Sequence, residues 1–221
     1  MKHIDISIII TNYNKSKYID RAIRSCINQI IFKKNIEIIV VDDCSTDNSL
    51  DIISEFKEDI NILTNNINKG VAFSSNLGLS KASGKYFIRV DADDYISTLA
   101  TEIFSQILDN NEDLDYVYAD HYRVDTRGLK IEKVQLNTLD SLYRHGAGIL
   151  MRTSALNKIG GYDEELRNCE DFDLILRLQK SGSRGYYLPL PLYRYYIHGD
   201  NMTLTSERSD YWTIVEKKHG I

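Results

Sequence analysis

Proline is almost missing from this chain: 221 residues contain two, at positions 189 and 191. No proline-rich linker therefore divides the sequence upstream of them. Cysteine is scarce as well. Cys26, Cys44 and Cys169 are odd in number and far apart, which fits neither a disulfide framework nor a zinc cluster and points to a reducing cytoplasm. No run reaches the roughly 18 apolar residues of a membrane span. Met1 to Thr11 has no signal-peptide pattern, being short and interrupted by Asp5. A basic excess is also lacking. The 27 Lys and Arg face 32 Asp and Glu, for a formal net charge of -5, so no general field holds a nucleic acid. What remains is a chain 43% hydrophobic and long enough for one sizeable core, read as a single domain over 1–221.

The first half alternates two periodicities. "DISIIIT" (5–11), "EIIVVDD" (37–43), "INILTN" (60–65) and "KYFIRVD" (85–91) are strand-like, the first two nearly uninterrupted as in strands buried on both faces. Between them, Ile19, Ile23 and Ile27 recur at helical spacing, Leu50, Ile53 and Phe56 form a second face, and Gly70 opens a helix to about Ser80. Leu99, Ile103, Phe104 and Ile107 mark a helix after the fourth strand. The β-α-β-α order predicts an α/β fold with a mostly parallel, Rossmann-like sheet flanked by helices. Ligands of such sheets gather at the carboxyl ends of the strands, where "TNY" (11–13), "DD" (42–43) and "DADD" (91–94) converge. The second half is less regular: a hairpin from 115–125 and 129–135, a strand, short helix and Gly-Gly turn over 146–166, a helix from 169 to 182, and an aromatic extended end.

"VDADDYI" (90–96) puts Asp91, Asp93 and Asp94 within four positions, an arrangement that is unfavourable unless a cation or hydrogen-bond donors meet it. Hard oxygen ligands suit Mg²⁺ or Mn²⁺, whose shell is completed by water and substrate phosphate. A solvated turn or helix cap is the rival explanation, since Asp favours both.

Taken together, "SIIITNYNKSKYIDRAIRSCINQ", "EIIVVDDCSTDNS", "NKGVAFSSNLGLSKASGKYFIRVDADD" and "GGYDEELRNCEDFDLILRL" resemble the successive signatures of family 2 glycosyltransferases, from about Ile6 to about Thr203. The resemblance implies a GT-A fold, with a nucleotide-binding half over about 1–95 and an acceptor half over about 96–221. It implies inverting transfer of a sugar from a nucleotide diphosphate to an acceptor hydroxyl. By that resemblance Thr11 and Tyr13 lie around the base and Asp43 accepts the base's imide N–H, which favours a UDP- or dTDP-sugar. Asp91, Asp93 and Asp94 form the DXD motif, with Asp93 as ligand of Mn²⁺ or Mg²⁺ and His198 reaching back to the same metal. Asp171 of "CEDFDL" is the general base and Glu170 its neighbour. Lys69 and Asn76 belong to the donor side. Where the family often carries Arg before Asn, this chain has Ser74-Ser75-Asn76, which removes a bidentate partner for base or phosphate. Arg194 and Asn201 are candidates for phosphate or acceptor contacts. The implied acceptor is a saccharide or lipid-linked saccharide. A lipid-linked one requires docking at the inner face of the membrane, for which the Tyr- and Leu-rich segment 186–197 is the candidate.

Two other readings compete. A sugar-phosphate nucleotidyltransferase needs a Gly-rich loop after the first strand, where this chain has "TNYNKSKY". A catalytically silent nucleotide-sugar binder has no need to keep Asp93, Asp171 and His198 together.

Overall fold

The structure is a computed structural model that describes residues 3–199, 201 and 207–221. The β-branched run Ile6–Asn12 forms strand β1, buried along its whole length. It lies between β2 (Ile36–Asp42) and β4 (Tyr86–Asp91), parallel to both, and β3 (Asn61–Thr64) extends the sheet beyond β2. Helices α1 (Ile19–Ile27), α2 (Ser49–Ser54) and α3 (Val71–Lys81) make the crossovers and cover both faces. Alternation along β1 explains the two layers. Ile8 and Ile10 pack with Ile19, Ala22 and Ile23 of α1, whereas Ile9 packs with Ala72 of α3. The α3 contact is close: a Cβ at Gly78 would sit 2.6 Å from Ile9 Cγ2.

Beyond β4 the sheet becomes mixed. Its order is β3-β2-β1-β4-β8-β6-β9-β5, with β8 (Leu150–Arg152), β6 (Tyr116–Val124), β9 (Gly185–Tyr196) and the two-residue β5 (Tyr95–Ile96). β7 (Lys130–Val134) forms the expected hairpin with β6. Helices α4 (Ala100–Asp109), α5 (Leu139–Tyr143), α6 (Thr153–Lys158), α7 (Glu170–Lys180) and α8 (Glu207–His219) complete the chain. Pro189 and Pro191 lie inside β9, where the register against β6 slips between Ala119 and His121. β5 reaches only Tyr193 and Arg194 there, so the missing N–H groups interrupt no ladder on that side.

Some expectations need correction. Leu50 is 38% exposed, and α2 ends before Phe56, so that helix buries mainly Ile53. Leu99 is exposed and precedes α4, whose buried face is Phe104 and Leu108. Segment 186–197 is almost entirely the sheet strand β9, leaving Tyr186 and Leu190 as its exposed large apolar side chains. The short α5, the two-residue β5 and α8 carry no clear sequence periodicity. α8 is held by one buried residue, Val215, and by Trp212 stacked 4.1 Å from Phe172. Among the described residues, no helix is long and apolar enough to cross a membrane.

Candidate active site

The carboxyl ends of β1, β2 and β4 open into a cavity of about 610 Å³, within the size range of small-molecule sites. Thr11, Tyr13, Asp43, Asp91, Asp93, Glu170, Asp171 and Asn201 all line it. Asp43 is only 3% exposed and shapes its own surroundings. Its two oxygens accept the Lys69 and Gly70 backbone N–H groups at 2.9 and 2.7 Å and the Asn65 amide at 2.7 Å. Asp42, the other member of the pair, accepts from Asn12 and from the Ser45 N–H and so braces β1 against the loop after β2.

The three aspartates after β4 part company. Asp93 Oδ2 lies 2.8 Å from Lys15 Nζ and 2.9 Å from His198 Nε2. Burial raises the affinity of Asp93 for a proton, but the His198 hydrogen bond and Lys15 outweigh it and hold the carboxyl below its usual range. His198 is itself fixed: its backbone N–H donates to Asn201 Oδ1 at 2.7 Å, and its ring stacks 4.7 Å from that of Tyr18. Asp91 Oδ1 is 3.2 Å from Arg89 Nε, yet it is buried without a hydrogen bond. Burial keeps this carboxyl above its usual range against the pull of Arg89. Asp94 leaves the cavity altogether. It accepts the Tyr193 hydroxyl and the Tyr196 N–H, each at 2.8 Å, and so fastens β9 to the turn.

The opposite wall is built around Arg89, a charged residue in the middle of an otherwise apolar strand and 3% exposed. Its Nη1 donates to Glu170 at 2.9 Å and its Nη2 to Asp171 at 2.8 Å, so one guanidinium ties the first turn of α7 to β4. Burial pushes the Asp171 carboxyl up to about 7, with Arg89 pulling the other way and Glu170 and Asp91 adding to the rise. Asp171 Oδ1 is left without a hydrogen bond. The carboxylate sits directly on Gly146, where an added Cβ would fall 2.0 Å from Asp171 Cβ. Only glycine permits that approach. α7 begins from Cys169 in the left-handed conformation, at φ 58, uncommon for a non-glycine residue.

Three further candidates stand apart from the cavity. The Lys69 ammonium lies over the Phe73 ring at 3.9 Å. Asn76 is engaged with the Tyr162 backbone and Glu164, clamping α3 to the Gly-Gly turn. Arg194 donates to the Pro191 carbonyl and lies over Tyr122, on another surface. Sequence reasoning missed Arg89, although a lone cation in "YFIRVD" was the available signal. It also missed Arg167, whose side chain crosses Gly70 at the start of α3, near where the family's missing arginine was expected.

Among the described residues, no group of three or more His, Cys, Asp or Glu converges as for a metal. Asp93 and His198 do converge, with the unbonded Asp91 Oδ1 as a further buried oxygen of the same motif. Two protein ligands are enough for a cation that takes its remaining positions from phosphate oxygens and water. Carboxylate with imidazole suits Mn²⁺, and Mg²⁺ on the carboxylate side.

The profile of Glycosyl transferase family 2 matches residues 7–160. The chain is 27% identical to a chondroitin synthase of Pasteurella multocida (strain Pm70) over 96% of its length, but it spans only 23% of that protein. It is 31% identical to the putative glycosyltransferase EpsE of Bacillus subtilis (strain 168), covering 86% of this chain and 72% of that one. Among solved structures, S. aureus TarS 1-349 in complex with UDP superposes with a TM-score of 0.74 at 26% identity, over 88% of this chain and 61% of that one. The same TarS fragment in complex with UDP-GlcNAc gives a TM-score of 0.78 at 23% identity, over 97% of this chain and 66% of that one, a likeness of fold. The α/β fold with its mixed, largely parallel sheet is thus of the GT-A type.

Proposed function

This chain belongs to glycosyl transferase family 2, and from that premise we propose that it is an inverting glycosyltransferase that uses a nucleotide diphosphate sugar, UDP-linked in the first instance. One observation carries the reading: a single cavity holds a carboxylate kept charged by a lysine and a histidine hydrogen bond, Asp93, and a second that titrates near neutrality, Asp171. Separated proton affinities of that kind distinguish a charge-holding group from a proton-moving one.

Thr11 and Tyr13 border the base. Asp43 keeps an acceptor direction for the base's imide N–H, because a carboxylate has about four and three are in use. A UDP donor is favoured by the likeness to TarS, whose structure was solved with UDP. Asp93 and His198 would hold the Mn²⁺ or Mg²⁺, which when bound supplies neutralising charge to the departing diphosphate. Lys15, beside Asp93, adds a cation for a phosphate oxygen. Asp171 removes the proton from the acceptor hydroxyl as that oxygen attacks the anomeric carbon. The new carbon–oxygen bond forms on the face opposite the breaking bond to phosphate, and no covalent enzyme intermediate is needed. Arg89 aims Asp171 and stabilises its ionised form. The acceptor is a saccharide or lipid-linked saccharide in polysaccharide or glycoconjugate synthesis.

The test is thermal shift with UDP, dTDP and GDP, each with and without Mn²⁺, followed by UDP release from UDP-GlcNAc and other UDP-sugars. The expected result is a metal-dependent stabilisation by UDP together with turnover of one UDP-sugar. Stabilisation by UDP without turnover of any donor would favour the catalytically silent binder.

A further inference from the structure

Five lysine or arginine side chains line the cavity: Lys15, Arg89, Arg144, Arg167 and Arg208. Three are already matched by carboxylates. Lys15 is 2.8 Å from Asp93, Arg89 is committed to Glu170 and Asp171, and Arg144 is 2.9 Å from Asp140. Arg167 and Arg208 have no carboxylate partner among the described residues. Arg167 Nη1 donates only a long hydrogen bond, 3.3 Å, to Asn68 Oδ1, and Arg208 Nη2 donates to the Arg144 carbonyl at 3.1 Å. Acidic residues outnumber basic ones in this chain, so two unmatched guanidinium groups in one cavity are not a consequence of composition.

Their position says which substrate they face. Arg167 lies two residues before Cys169, and the Cys169 thiol contacts the Arg208 carbonyl at 3.6 Å. Arg208 therefore lies against the N-terminus of α7, whose first turn carries Asp171, whereas the Arg167 guanidinium contacts Asn68 and Gly70, beside the Asp43 that the proposed reading sets at the base. Arg167 reaches across Gly70, where a Cβ would lie 2.8 Å from Nη1, so the absence of a side chain there leaves the guanidinium its place. Guanidinium groups pair with planar or tetrahedral oxyanions through parallel N–H donors.

We propose that Arg208 binds an anionic group, phosphate or carboxylate, on the acceptor, next to the hydroxyl that Asp171 deprotonates, while Arg167 belongs to the donor end. This rests on the glycosyltransferase reading and narrows its acceptor to one that carries a negative charge. The donor's diphosphate is the other anion in the reaction, and it belongs to the end of the cavity that holds Asp93, His198 and Lys15.

The experiment titrates UDP-loaded protein with three probes: a glucuronate-terminated trisaccharide, its glucose-terminated isostere and a glycerol phosphate trimer. Affinities are measured at low and high salt for the native chain, Arg208→Gln, Arg167→Gln and Arg208→Lys, with UDP affinity determined separately for each. The expectation is that one anionic probe binds about tenfold more tightly than the neutral isostere, the scale of a charge-assisted contact. That preference shrinks in salt, disappears in Arg208→Gln, partly returns with Arg208→Lys and survives in Arg167→Gln. Equal affinity for anionic and neutral probes, or no binding of any probe, overturns the inference while UDP binding stands. A loss confined to UDP affinity in Arg208→Gln assigns that arginine to the donor and also overturns it. If the native chain does not bind UDP, the glycosyltransferase reading itself fails, which the other outcomes do not imply.

Discussion

Asp93 and Asp171 line one cavity with nearly equal side-chain exposure, 14% and 18%, yet their surroundings treat the same charge in opposite ways. Burial pushes both carboxyls up. At Asp93 a histidine hydrogen bond and a lysine reverse the effect. At Asp171 a single arginine must serve several acids, and burial prevails. The difference lies in how many partners each carboxylate has to itself. A site that divides its partners unequally is suited to supply a binder of positive charge and a proton acceptor from one residue type.

Removing the proton acceptor breaks that comparison most severely. Asp171→Asn lowers the rate of transfer by about 10²–10⁴-fold, the usual contribution of a general base, while UDP affinity stays within about twofold of the native chain. Steady-state kinetics and UDP titration check the two halves of this statement.

Arg89→Gln acts on both sides of the division. It leaves Asp91, Glu170 and Asp171 buried without their cation, so stability falls by about 3–5 kcal/mol, read by denaturant unfolding. Its effect on the base has a definite sign. Arg89 favours the ionised carboxylate, so its loss moves the midpoint of the pH–rate profile to higher pH.

The adjacent pair Asp93 and Asp94 sharpens the contrast further. Asp93→Asn weakens Mn²⁺-dependent UDP binding by about 10–100-fold, at least the cost of losing a supporting contact to a metal ligand. Asp94→Asn leaves UDP binding unchanged and costs about 1–3 kcal/mol of stability, because both Asp94 oxygens accept and asparagine keeps one acceptor while turning an NH2 toward the other donor. Calorimetry of UDP binding with and without Mn²⁺ compares the two variants directly.

How far the sequence could be read follows the same divide between local and distant contacts. The parallel half was legible because Ile8, Ile9 and Ile10 belong to a run that only a strand covered on both faces can bury. The order of motifs pointed to the cavity because strand ends meet on one rim. The mixed half was harder, since β8 spans three residues and its place between β4 and β6 depends on pairings far apart in sequence. α8 has almost no apolar stripe and is recognisable only once Phe172 is present to stack on Trp212. The register within "DADD" was open because three aspartates in four positions are chemically alike. Tyr193 and Tyr196, about a hundred residues away, take both oxygens of Asp94 and leave Asp93 facing the cavity. The place of Asn76 outside the cavity was not legible, because "SSN" on α3 gives no sign of its partner at Tyr162.

The most direct measurement is the pH dependence of kcat for sugar transfer by the native chain from pH 5 to 9, with UDP affinity followed over the same range. Because the base must be ionised and its pKa is raised to about 7, the rate should climb with pH through neutrality and then level off. Measured at saturating donor and metal, kcat is separated from the titration of UDP's own terminal phosphate and of the metal-binding groups, which the UDP affinities report. A rate already at its plateau at pH 5, or a limb that follows UDP affinity, would contradict the assignment of Asp171 as the group that takes the proton.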